Sequence, residues 1–322
     1  MGKAFINMKK LTLTIGIPAH NEEKNISRLL NSIMWQNKKN YTLEKVIVVC
    51  DGCDDKTAEE ARKVSGEFPV IEIVEDDKRL GKITRLNSLY KMSESDIYMT
   101  IDADMVLGDK KVLDTMIEAF EETSTGPNSI RAGIVGGCSL PLFPENKFEK
   151  IINTWSEFWY VTKKDINNGD NVHNHPGCIS AMRKELYKQV EIPKEIFSDD
   201  DFLYFNAKKL GFKFKYAEDA KVYYRSSNTF EDFLNQHTRF LSLKKRVAKF
   251  YGKDIYSQYI VPRDTKLKAL AIMLMREPYY MTLAIGLQIV LRGYMKFYKE
   301  EYKNGFWKHI KSSKNLGIEG VI

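Results

Sequence analysis

The chain has 322 residues, 43% of them hydrophobic and 29% charged, with a formal net charge of +7. That size and apolar content suit one large domain, or one domain with an appendage. Its four cysteines (50, 53, 138 and 178) show no small disulfide framework, and the lone Cys50–Cys53 pair is too small for a closed structural zinc site, so ordinary thiols of a reducing compartment are expected.

The charge is uneven. Residues 241–322 carry 16 Lys and Arg against 6 Asp and Glu, while the rest of the chain is slightly acidic. A basic stretch beside apolar segments suggests an anionic membrane surface, and a merely solvated basic face is the plainer alternative. Nucleic acid is the other usual partner of basic patches, but no recognition motif for it is present.

In chain order, residues 11–17 alternate Leu, Thr and Ile and lack a small-residue cleavage site, so they read as a strand over 11–18 rather than a signal peptide. A helix is predicted over 21–35. Asn21 would cap it, Glu22 and Glu23 would sit at its positive end, and Ile26, Leu29, Leu30 and Ile33 make its apolar stripe. A second strand follows over 45–50. Thr57-Ala-Glu-Glu60 reads as a capping box opening a second helix. A strand over 70–74, a helix over 82–92 and a strand over 97–101 complete the series. Strand and helix alternating at this spacing predict an α/β fold, a Rossmann-like, doubly wound, mostly parallel sheet with ligands at the C-terminal strand ends.

The fourth strand ends on Asp102 and Asp104. Residues two apart on an extended chain point the same way, so both carboxylates could face one hard cation, Mg or Mn, completed by water and phosphates. A simple turn explains the same pattern.

Four segments in order resemble the motifs of family 2 glycosyltransferases with the GT-A fold. They are Pro18-Ala-His-Asn-Glu-Glu23, Val48-Val-Cys-Asp-Gly-Cys-Asp-Asp-Lys-Thr57, Gly81-Lys-Ile-Thr-Arg-Leu-Asn87 and Asp102-Ala-Asp104. The resemblance implies that Pro18, Glu22 and Asp51 hold the nucleotide. It makes Lys82 the charge that neutralises the diphosphate, Asp104 a metal ligand, and Asp102 a ligand to ribose or metal. The family often has two Asp before that Gly, and here Cys50 replaces the first. Asp55 either belongs to the donor motif or orients the helix start at Thr57, and Asn87 is equally structural or functional.

Gly177-Cys-Ile-Ser-Ala-Met-Arg183 is similar to the small-residue segment near the acceptor, although tight packing explains it equally well. His173 and His175 before it read as loop histidines. Ser198-Asp-Asp-Asp-Phe-Leu203 resembles the acidic pair that opens a helix, with Asp199 and Asp200 as the pair and Asp200 as general base. Direct displacement needs one such base on the face opposite the leaving diphosphate. Asp201 is the rival if the register shifts by one, and three Asp at a helix N-terminus also suit its dipole. Gln236-His-Thr-Arg-Phe240 resembles the QxxRW motif of membrane-associated members. It implies Gln236 and Arg239 at the diphosphate and Phe240, in place of Trp, against the acceptor sugar.

Residues 278–291 form an uncharged run of 14, short of the roughly 20 that a spanning helix needs. They predict interfacial helices with aromatics such as Tyr279, Tyr280, Tyr294, Phe297 and Trp307 at headgroup level. A helical pair packed on the catalytic domain or on another subunit is the alternative. The expected division is a catalytic domain over 10–245 and a basic helical appendage over 246–322.

The expectation is therefore an inverting, metal-dependent glycosyltransferase. It would move sugar from a nucleotide-sugar donor, a UDP-sugar by preference, to a lipid-linked or polysaccharide acceptor at the cytoplasmic membrane face. Residues 97–106 also fit the DxD signature of haloacid-dehalogenase phosphatases, with Asp102 as nucleophile. In those enzymes, however, the motif follows the first strand, and here three strand–helix units precede it. A non-catalytic, membrane-tethered nucleotide-binding module is a third reading.

Overall fold

The computed structural model describes residues 10–121, 132–196, 198–238, 243–297 and 311–317. In chain order these form β1 (Leu11–Ala19), α1 (Ile26–Met34), β2 (Tyr41–Asp51), α2 (Thr57–Ser65), β3 (Ile71–Asp76), α3 (Lys82–Met92) and β4 (Ile97–Ile101). Next come β5 (Val106–Leu107), α4 (Val112–Glu121), β6 (Ala132–Pro141), α5 (Lys147–Lys163), β7 (Ile179–Arg183), α6 (Lys184–Tyr187), α7 (Asp199–Lys209) and β8 (Lys213–Tyr224). The chain then turns helical, with α8 (Phe230–Thr238), α9 (Leu243–Tyr251), α10 (Arg263–Arg276) and α11 (Pro278–Phe297).

The eight strands make one sheet in the order β3-β2-β1-β4-β7-β6-β8-β5. The first four are parallel, as the alternation of elements predicts. The sheet is mixed beyond them, because β7 runs antiparallel to both β4 and β6. That reversal positions the site: β7 starts where β4 ends, and the Asp102 amide donates to the Cys178 carbonyl at 3.0 Å.

Alternation along β1 divides the core. Leu13, Ile15 and Ile17 are fully buried on the face covered by α1, α2 and α4. The opposite face holds Tyr90, Tyr98, Tyr187 and the aromatics of α7. Gly16 faces that side, and a Cβ there would lie 1.9 Å from the Tyr98 hydroxyl, so only glycine fits. Burying large apolar side chains on both faces of one sheet supplies the main driving force for the fold.

One predicted helix start and one predicted cap differ; the second helix does open at Thr57. The first helix begins at Ile26, not at Asn21, which is left-handed (φ 55°) with its side chain accepting from the Asp54 amide at 2.9 Å. Asn21 thus ties the first strand-end loop to the second instead of capping a helix. The Thr57 capping box does not form either. The Thr57 hydroxyl accepts from the Glu22 amide at 2.7 Å and donates to Asp55, a tertiary partner displacing the local one.

The apolar C-terminal helices pair with each other and pack on α5 through Phe158, Ala269, Met273 and Met281. The expected boundary after residue 245 falls inside α9, whose Val247 shares a buried cluster with Phe202 and Phe205.

Candidate active site

Lys82, the first residue of α3, stands where the end of β4, the turn before β7 and the start of α7 meet. Its ammonium lies 2.9 Å from Asp102 and 3.3 Å from Asp199, and 3.4 Å from the Gly177 carbonyl. One side chain thus joins the DxD strand end, the small-residue turn and the acidic helix start. Burial alone would lower the Lys82 ammonium, but Asp102, Asp199 and Asp200 outweigh it and hold it well above the usual lysine range. Burial pushes Asp102 up to about 6, opposed by Lys82 and reinforced by Asp104 and Asp199. Burial likewise raises Asp199 against the pull of Lys82.

The three carboxylates that open α7 go three ways. Asp199 is buried on Lys82. Asp200 is half-buried, with one oxygen accepting from the Ser198 hydroxyl and the Asp201 amide. Asp201 turns aside to accept from the Tyr259 hydroxyl at 2.7 Å; burial and then the Asp200 charge push it up to about 7. Gly177 backs onto this turn: a Cβ there would lie 3.4 Å from an Asp199 oxygen and 3.5 Å from the Asp200 Cβ. His175 is buried, with its ring nitrogens on the Asp200 carbonyl at 2.8 Å and the Ser180 hydroxyl at 2.7 Å, and so it pins the helix start. Burial lowers its imidazole against the pull of Asp200, and it lowers His173 to about 4. His173 meets the Tyr259 carbonyl at 3.3 Å.

On the donor side, Asp51 is buried with both oxygens in use. One accepts from Arg85 at 2.6 Å and from the Leu80 amide at 2.7 Å, and the other from the Gly81 amide at 2.8 Å. Arg85 continues to Asp76 at 3.0 Å and to the Lys78 carbonyl at 2.8 Å. Asp51 therefore holds the loop that delivers Lys82, and an oxygen with one donor retains a lone pair for a ligand. Gly52 has φ +57°, and a Cβ there would lie 2.5 Å from the Arg79 nitrogen, so the Asp-Gly turn requires glycine. Pro18 is paired with Val49 of β2 in the strand register. Glu22 is buried; burial and then the Asp104 charge push it up to about 7, against a Lys314 ammonium that also donates to the His20 carbonyl at 2.7 Å. Asp55 accepts from the Thr57 amide at 3.0 Å, and Asn87 exchanges two hydrogen bonds with the Ile192 backbone, so both have structural work in this fold.

The carboxylates fit a hard cation only in an open arrangement. Among the described residues no cluster of three or more His, Cys, Asp or Glu could enclose a metal. β4 ends at Ile101 and Asp104 lies in the turn that follows, so the extended-chain alternation does not reach it; two such carboxylates would leave most of a cation's shell to water and substrate phosphates. Gln236 accepts from the Ser227 hydroxyl at 3.0 Å. Arg239, Phe240 and Trp307 lie outside the described residues. Arg85, Tyr259 and Lys314 were not singled out in the sequence. Arg85 stood inside a quoted motif, whereas no local signal marks the other two.

Residues 14–191, more than half of the chain, match the profile described as glycosyl transferase family 2. Among curated relatives, a 4,4'-diaponeurosporenoate glycosyltransferase of Staphylococcus aureus is 33% identical over 118 residues, covering 36% of this chain and 30% of that protein. A dolichol-phosphate mannosyltransferase of Pyrococcus furiosus is 26% identical over 182 residues, covering 56% and 49%. The chain thus spans half or less of the length of these relatives. Among solved structures, a mannosyltransferase of Pyrobaculum calidifontis in complex with GDP-Man and Mn2+ superposes with a TM-score of 0.55 at 17% identity, covering 90% of this chain and 84% of that one. Residues 1–349 of S. aureus TarS in complex with UDP give 0.50 at 18% identity, covering 82% and 71%. These likenesses show the GT-A fold in the mixed sheet described above. By its profile match over more than half of its length, the chain belongs to glycosyl transferase family 2.

Proposed function

We propose that the chain transfers a sugar from a nucleotide-sugar donor to a hydroxyl of a lipid-linked or saccharide acceptor, with inversion at the anomeric carbon. The observation that carries this reading is the Lys82 ammonium between Asp102 and Asp199, which ties the donor motifs to the acidic helix start. Pro18, Glu22 and Asp51 frame the nucleotide side of the cleft, and Asp51 also sets the loop that presents Lys82. Lys82 meets the diphosphate as a fixed positive charge. Asp102 and Asp104 would hold a divalent ion, Mg or Mn, which when bound neutralises charge on the departing diphosphate. Asp200 takes the proton from the acceptor hydroxyl, supported by its half-buried position at the start of α7, beside the Gly177 turn. Asp199 stays on Lys82, and Gln236, with Arg239 and Phe240 after it, would meet the leaving group and the acceptor sugar.

The donor we favour is a UDP-sugar. The acceptor is proposed to be presented at the cytoplasmic face of a membrane. Among the described residues no helix is long and apolar enough to cross one. The outer face of the α10–α11 pair, however, leaves Met275 77%, Ile289 64% and Phe297 87% exposed, beside the exposed basic residues Arg276, Arg292 and Lys296. Apolar side chains flanked by positive charge suit an anionic lipid interface. On this reading residues 10–245 do the chemistry and 246–322 bring the acceptor within reach.

The test is a melting series with UDP, GDP and their sugars, with and without Mn2+, followed by transfer assays on Asp200→Asn. A donor should raise the melting temperature, since a ligand of the folded form stabilises it. Asp200→Asn should lower transfer by about 10²–10⁴-fold with donor binding intact. Loss of donor binding instead would place Asp200 in the donor site.

A further inference from the structure

Residues 311–317 form a strap that returns across the molecule to the end of β1. Its first end is held by α8 and the loop before it. Asp232 accepts from the Lys311 and Ser312 amides at 3.3 and 2.9 Å, and the Asn228 amide donates to the Ser312 hydroxyl at 3.1 Å. Its second end is held by Asn25, whose side chain donates to the Ser313 carbonyl at 3.0 Å and accepts from the Leu316 amide at 3.3 Å. The Arg225 guanidinium donates to the Leu316 carbonyl. Asn25 and Leu316 are fully buried. Lys314 stands between these anchors, its ammonium on the His20 carbonyl and the Glu22 carboxylate.

This places a cation beside Glu22, just past the end of β1. Glu22 lies close enough to Asp104 for their charges to repel, and a diphosphate arriving at Asp104 would add more negative charge. Lys82 is on the β4 side, already shared between Asp102 and Asp199. We propose that Lys314 is a second donor-binding lysine, held by the 311–317 strap so that its ammonium faces the donor's diphosphate from the β1 side, opposite Lys82. The proposal rests on the donor reading above and names a residue outside the stretch that matches the family profile.

The experiment is calorimetric titration of UDP and UMP, without divalent ion, into the wild-type chain, Lys314→Met and Lys314→Arg. A charge-assisted contact is worth about tenfold in affinity or more. Lys314→Met should therefore weaken UDP by about tenfold more than UMP, and Lys314→Arg should stay near wild type. A merely structural strap would weaken both nucleotides equally, and that result overturns the proposal, as would tighter or unchanged UDP binding by Lys314→Met. If the wild-type chain bound no nucleoside diphosphate, with or without Mn2+, the donor reading would fall and this inference with it.

Discussion

The ends of β2 and β4 look alike in sequence, each an apolar run closing on aspartate, yet they do different work. Asp51 at the β2 end is closed in by Arg85 and two backbone amides. Asp102 at the β4 end is about a quarter exposed and has a lysine that it shares with Asp199. A buried carboxylate with its partners fixed mainly shapes a loop and has one lone pair left for a ligand; a partly open one with a shared counter-ion keeps more of that capacity.

The strongest challenge to this contrast is removal of the Asp51 partner. Arg85→Met would leave a buried, half-satisfied carboxylate and should cost about 3 kcal/mol of stability by denaturant titration. A change near zero would mean that Asp51 is not the loop's anchor. Asp102→Asn should act the other way round. Its stability should hold, while transfer falls by about 10²–10³-fold, the usual scale for losing one electrostatic contact to a reacting group. Equal losses of stability at both positions would erase the distinction.

Gly52→Ala tests the shape of the β2 turn more gently. It forces a left-handed alanine against the Arg79 backbone and should cost about 2 kcal/mol by the same titration. The last test concerns pH. Burial and Asp200 hold Asp201 up to about 7, well above the usual unfolded value of about 3.9. The folded chain then binds that proton more tightly than the unfolded chain, so this contribution is complete in acid and is lost as pH rises from about 4 through about 7. Asp201→Asn should flatten the decline in melting temperature between pH 5 and 8, most of it below pH 7. An unchanged slope would remove Asp201 from the titrating groups.

Much of the fold was legible in the sequence. β4 was read to its exact limits because five successive buried residues, Ile97–Ile101, are bounded by polar ones. α3 was read equally well, since Lys82–Met92 carries a clear apolar side after a glycine. The misreadings at Asn21 and Thr57 share one cause. Each polar side chain had a plausible partner nearby in sequence, and in the fold each is engaged across the sheet, by the Asp54 amide and the Glu22 amide. The reversal of β7 was also hidden, because strand direction depends on where the preceding segment 172–178 leaves the chain.

The sequence by itself determined the alternation of strands and helices and the order of the acidic strand ends, because periodic burial and motif spacing are local properties. Tertiary structure alone decided which charges meet: Lys82 with Asp102 and Asp199, Arg85 with Asp51, Lys314 with Glu22. Such a contact is between single atoms of residues up to 292 positions apart, and neither partner leaves a periodic trace in the chain.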